Sequence, residues 1–231
     1  MFGLQTRTIR DLSRNEKKQV ESLLGINGLT FEGSPDCTAV VENTDEKIIA
    51  TASIQGKVIK MVAADPEWQE AGLSGMVISD LLRYARENGI FHLFVYTKRD
   101  MADKFASLGF SELARTDTIV LMESGHPSSD DYRLMLRKNR TFAGCKNIGA
   151  SVMNCNPFTL GHRYLIEKAA GECDGLYVII VQEDVSLFPF SDRLQLVEEG
   201  TFPIKDMHKA IWGSVLTCGV LYTFYFTCLA G

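Results

Sequence analysis

The spacing of apolar positions switches between two periods along the first half of the chain. Residues 38–42 and 48–54 are β-branched runs separated by a polar turn at 43–47, which predicts a hairpin, and 58–64 predicts a third strand. Ahead of them, residues 7–10 read as a short extended stretch, with Asp11 or Ser13 placed to cap the helix that follows. Beyond residue 72 the period lengthens. Leu73, Met76, Val77, Leu81 and Tyr84 recur at helical spacing, and Asn88-Gly89 ends the run. Residues 92–97 return to an apolar strand and 100–108 to a short helix, and Gly109-Phe110 turns the chain toward a strand at 118–122.

Between 123 and 146 the pattern loosens. Residues 124–131 have loop composition and 132–139 form a charged helical connector, so the best domain boundary lies here. Past it, 148–153 predicts a strand, 162–170 a helix, and 176–181 a second, wholly apolar strand. A strand without a polar face is buried on both sides, which a parallel β-α-β unit explains. The expected fold class is α/β: a first domain at 1–125, a linker at 126–145, a second domain at 146–200 and a tail at 201–231.

Composition excludes some classes. Hydrophobic residues make up 45% of the 231 and charged residues 23%, enough for a packed core. The net charge is −5 with no basic run, so the footprint of a nucleic-acid binder is missing. The six cysteines form no C-x-x-C pair, no His stands at zinc spacing from them, and the first residues lack the features of a secretory signal. Free thiols in a reducing cytoplasm follow, with no protein-held metal expected.

Two loops carry candidate chemistry. In the first, Gln69, Gly72, Ser74 and Gly75 lie between a strand and a helix N-terminus. Small residues there let backbone amides approach a pyrophosphate, and the helix end adds partial positive charge. The order strand, hairpin, Q-x-x-G loop, helix, strand, short helix, Leu108-Gly109-Phe110 resembles the GNAT acetyltransferases. That resemblance implies that the loop holds the pyrophosphate of coenzyme A. Ser74 departs from the Gly or Ala usual in that family. Of the nearby acids, Glu67 and Glu70 could serve as bases, and neither stands out from a solvated carboxylate.

The second loop is Asn154-Cys155-Asn156-Pro157-Phe158 followed by Thr159-Leu160-Gly161-His162, again between a strand and a helix. Proline presets the backbone after Asn156, and Gly161 permits close approach of a phosphate to the positive helix end. His162 and Thr159 offer donors to phosphate oxygens as charge develops. The stretch resembles the nucleotidyltransferase superfamily with the H-x-G-H signature, in a variant with Thr in first place. With the GNAT-like half in front, and Arg193 in a matching later segment, the chain from 1 to about 200 closely resembles the citrate lyase ligase family. The resemblance implies an incomplete Rossmann-like second domain that uses ATP and Mg²⁺ to adenylate acetate. It further implies transfer of the acetyl group to the CoA-like prosthetic group of the citrate lyase acyl-carrier subunit. Thr159, Gly161 and His162 would then bind phosphate, Asn154 to Phe158 would shape the pocket, and Arg193 would serve either as a cation for the triphosphate or as a surface helix cap.

The superfamily's late Ser/Thr-rich signature ending in Lys or Arg is not found past residue 184. A C-terminally truncated chain, with weak nucleotide binding and little or no catalysis, is therefore expected. Residues 210–231 carry no charge, and about 20 apolar residues suffice to cross a bilayer. Three readings remain open for them: a membrane anchor, buried core, or an out-of-frame tail. A CoA-binding acetyltransferase or non-catalytic acyl-CoA module is the alternative function, and a membrane-tethered interaction protein a third.

Overall fold

A computed structural model of the chain describes residues 4–138, 144–181, 187–202 and 210–215, with side chains left undescribed at 69–71, 135–137 and 210–215. The chain forms two compact units, Met1–Asp131 and Tyr132–Gly231.

The first unit is a mixed seven-stranded sheet of order β1-β2-β3-β4-β5-β7-β6. Its strands are β1 (Gln5–Ile9), β2 (Cys37–Glu42), β3 (Ile48–Gln55), β4 (Val58–Ala64), β5 (His92–Lys98), β6 (Ser111–Arg115) and β7 (Ile119–Gly125). Helix α1 (Arg14–Ile26) starts at Ser13, whose hydroxyl accepts the Glu16 N–H while Glu16 accepts the Ser13 N–H. That reciprocal cap satisfies two otherwise orphan amides. Its Val20, Leu23 and Leu24 pack with Val40 of β2, whereas Ala39 and Val41 join Leu73, Val77, Ile78 and Leu81 of α2 (Leu73–Glu87). Successive β2 side chains therefore feed different cores, the alternation of a strand covered on both faces. A short helix α3 (Ala102–Ser107) leads to β6, with Phe105 and Phe110 edge to face in the core.

At the far end of the sheet a buried polar cluster starts the next helix, α4 (Ser129–Lys138). Glu123 accepts the Ser129 N–H at 3.0 Å and its hydroxyl at 2.9 Å, and lies 2.7 Å from His92 Nε2. A carboxylate at a helix N-terminus meets both the free amides and the helix dipole. The stretch expected as a linker thus contains a helix, which agrees with the helical connector read at 132–139.

The second unit is parallel throughout: β10-β9-β8, from β8 (Ile148–Met153), β9 (Gly175–Val181) and β10 (Ala210–Val215). Helix α5 (Leu160–Gly171) makes the crossover, and α6 (Phe190–Thr201) follows β9. Ile166, Leu176, Val178, Ile180 and Val197 form the core. Unit two is the parallel β-α-β arrangement the sequence predicts, and unit one the mixed sheet of the expected first domain. Three elements were not foreseen: β6, α6 and β10. The first six positions of the uncharged segment pair with β9 as a strand, while 216–231 lie outside the described residues. Among the described residues no helix is long and apolar enough to cross a membrane.

Candidate functional site

In unit two the chain leaves β8 at Met153 and turns sharply. Cys155 sits at φ 49°, a left-handed conformation that costs a residue with a Cβ about 1–2 kcal/mol. Its side chain is fully buried in the core, and burial, opposed by the nearby Arg193 charge, pushes the thiol up to about 11. This thiol anchors the turn rather than acting as a nucleophile. Asn156 precedes a cis peptide to Pro157, and its side-chain oxygen accepts the Phe188 N–H at 3.1 Å.

Thr159 is the N-cap of α5, with extended backbone angles, and the helix begins at Leu160 rather than at His162. His162 holds the position that Glu or Gln fills in an ordinary capping box. The Thr159 N–H donates to His162 Nδ1 at 3.1 Å, and Thr159 Oγ1 lies 2.8 Å from the same nitrogen. An Nδ1 that accepts must be unprotonated, so the neutral ring carries its proton on Nε2. The Thr159 hydroxyl, expected as a second donor to phosphate, instead faces this ring. Gly161 is exposed, and a Cβ there would meet only the Thr159 hydroxyl, at 3.6 Å, which leaves the helix end open to a ligand. The site thus combines first-turn amides with one N–H donor on a half-buried imidazole.

Arg193 requires a correction. The sequence places it as a cation for the triphosphate or as a surface helix cap; the structure buries it completely. Its Nη1 donates to the Asn154 carbonyl at 2.7 Å, the Asn154 side-chain oxygen at 2.9 Å and the Val181 carbonyl at 2.8 Å, and Nε donates to the Phe188 carbonyl at 3.1 Å. Its Cζ also lies 5.6 Å from the Phe190 ring centroid. Arg193 therefore ties the ends of β8 and β9 to the segment before α6. Its Nη1 and Nε donors are spent on these protein oxygens.

Phe158 stacks on His162, with ring centroids 5.8 Å apart and planes inclined by 24°. A Cβ at Gly200 of α6 would fall 2.3 Å from Phe158 Cε1. Sequence reading passed over Gly200, and no local spacing marks a glycine near the end of a helix as the floor of a distant ring.

The first loop is in unit one, where the structure places Gly72, Ser74 and Gly75 together. Gly72 has φ 67° and is the N-cap of α2 with no side-chain cap; Cβ atoms at Gly72 and Gly75 would meet nothing within 4 Å. Gln69 falls in the 3-10 turn Pro66–Ala71, and its side chain lies outside the described residues. Beside the loop, β4 and β5 pair in parallel only at Val58–Phe94 and Ile59–Val95. Past that point β4 carries a bulge against β3 and Met61 takes φ 56°, so the two strands part toward their C-terminal ends. A parted parallel pair thus adjoins the open N-terminus of α2 at one slot.

Residues 148–227 match the family described as the citrate lyase ligase C-terminal domain. The chain is 40% identical over 206 residues to a [citrate [pro-3S]-lyase] ligase of Escherichia coli strain K12, covering 88% of this chain and 58% of that protein. A ligase of the same name from Klebsiella pneumoniae is 37% identical over 198 residues, covering 85% and 56%. By sequence this chain is similar to the citrate lyase ligases. It spans somewhat more than half the length of these curated relatives, and the family match continues past Gly200 to residue 227. Among solved structures, Escherichia coli ElaA is similar at TM-score 0.45 and 11% identity, over 52% of this chain and 99% of that one. An acyl-CoA N-acyltransferase from Pseudomonas aeruginosa is similar at TM-score 0.45 and 14% identity, over 53% and 99%.

Among the described residues no three His, Cys, Asp or Glu side chains converge as a metal cage.

Proposed function

We propose that this chain works in a citrate lyase ligase reaction, activating acetate with ATP as acetyl-adenylate. The acetyl group then passes to the thiol of the CoA-like prosthetic group on the acyl-carrier subunit of citrate lyase. The observation that carries the reading is the His162 Nε2–H held at the open first turn of α5. An acetate oxygen attacks the α-phosphorus, the bond to the bridging oxygen breaks, and pyrophosphate leaves. Charge gathers on the α-phosphoryl and leaving oxygens, where fixed amides and the imidazole N–H stabilise it. Mg²⁺ carried by the phosphates would neutralise part of their charge. In the second half-reaction the thiol attacks the acetyl carbonyl and AMP departs. Asn154, Cys155 and Asn156 shape the turn, with Arg193 as its internal brace.

Pyrophosphate release from ATP and acetate tests this directly. Turnover that disappears in His162→Ala supports the reading, and turnover unchanged by that substitution overturns it. The Gly72 loop and the parting of β4 from β5 favour a second reading, a CoA-binding acetyltransferase or acyl-CoA module in unit one. Thermal shift separates the two: stabilisation by ATP with Mg²⁺ supports the ligase, and stabilisation by CoA alone supports the second reading.

A further inference from the structure

Resting on the adenylating reading of the α5 junction, we infer that Gly200 is a positioning residue for His162 and acts on it through the Phe158 ring. The imidazole is restrained from two sides. Its Nδ1 is occupied by the Thr159 backbone N–H at 3.1 Å, which selects the Nε2–H tautomer. Its face is covered by Phe158 at 5.8 Å, which sets the ring plane. The Phe158 ring in turn occupies the space above Gly200, where a methyl group would stand 2.3 Å from Cε1 and 2.7 Å from Cδ1. A glycine within a helix is less favourable than alanine by about 1 kcal/mol, so α6 carries a local cost at this position. The ring it admits is the one that stacks on the histidine. Arg193, buried on the same helix, fixes α6 to the Asn154, Val181 and Phe188 carbonyls, so the glycine and the ring are held in register.

A methyl at Gly200 has two outcomes. If Phe158 is displaced, the imidazole loses its stacking partner and the Thr159 contact loosens. If instead α6 shifts, the Arg193 bonds stretch. Both loosen the orientation of the Nε2–H, and small misplacements of a reacting group cost rate far more than they cost binding.

The test is nitrogen-15 imidazole spectroscopy on the full chain, paired with pyrophosphate-release kinetics. The chain has four histidines, so His162→Gln assigns the signal. Wild type is expected to show a single Nε2–H tautomer at neutral pH. Gly200→Ala should give a mixture of tautomers, with kcat lowered on the order of tenfold and KM for ATP within about twofold. Phe158→Leu leaves α6 untouched and should give the same spectroscopic change. In that background Gly200→Ala should add no further loss. An unchanged tautomer in Phe158→Leu, or an equal loss from Gly200→Ala in both backgrounds, overturns the inference. If Gly200→Ala alone does not fold, the Phe158→Leu background, which shortens the ring the methyl meets, should restore folding, and failure to fold there as well overturns the inference. The spectra need no turnover, so a chain that shows these shifts but never releases pyrophosphate refutes the adenylating reading and leaves the positioning role standing.

Discussion

Helices α2 and α5 both begin where a strand ends in a glycine-bearing loop, yet their first turns are built differently. At α2 the cap is Gly72 at φ 67°, with no side chain on the amides and open space where Cβ atoms would lie. At α5 the cap is Thr159, and an imidazole takes the place of the carboxylate in the capping box. Among the described residues the first junction offers backbone dipoles with no side-chain cap on them, which suits holding an anion whose charge does not change. The second adds one oriented N–H, which can follow charge as it builds during a reaction. The supports differ as well. Around α2 the slot opens because β4 and β5 separate, whereas the turn before α5 is fastened by a buried arginine and a stacked phenyl ring.

The comparison breaks most sharply at His162. His162→Ala should lower kcat for pyrophosphate release by roughly 10²–10³-fold, the range for one preorganised donor, with little change in thermal stability. A loss confined to KM would make the two junctions equivalent binding loops. Next in size is Arg193→Met, which removes the hydrogen bonds that a fully buried guanidinium donates to three segments and should destabilise unit two by roughly 2–4 kcal/mol. Amide exchange should then quicken in β8 and β9 and stay unchanged in β2 and β3; equal quickening in both units would show that Arg193 is not a local brace.

At the other junction, Gly72→Ala places a methyl in open space at a left-handed position and should cost about 1 kcal/mol. It should also remove any stabilisation by CoA, measured as a thermal shift, and full retention of that shift would count against the loop as a pyrophosphate site. The smallest effect is at the start of α4. There the Ser128 N–H, then His126 and the Ser128 hydroxyl, hold the Asp131 carboxyl down at about 2. Its folded pKa lies below the unfolded one, so the stabilisation is complete above the ordinary aspartate range and is lost as pH falls toward 2. Circular dichroism should show slight fraying between about pH 4 and 2, absent in Asp131→Asn.

Much of this was legible in residue order, because the relevant signals are local. The hairpin β2–β3, the period of α2, the apolar run of β9 and the Asn154–His162 junction depend on neighbours a few positions apart. Arg193 was misplaced for the opposite reason. An arginine on a helix reads as a surface cation unless one knows that the ends of two strands converge behind it. Strand β6 was missed because Ser111–Arg115 reads as polar, and β10 because an uncharged segment does not reveal whether it will pair, pack or span a membrane.

The sequence by itself determined the two-unit α/β plan, the two glycine-bearing junctions and the likeness to citrate lyase ligases, since period, turn chemistry and contiguous motifs survive without coordinates. Only the tertiary structure decided which nitrogen of His162 faces outward, that Thr159 turns inward to it, and that Arg193 and Gly200 act from behind. Those facts depend on distances between residues far apart in sequence, and buried hydrogen bonds and ring contacts are set by where the chain returns.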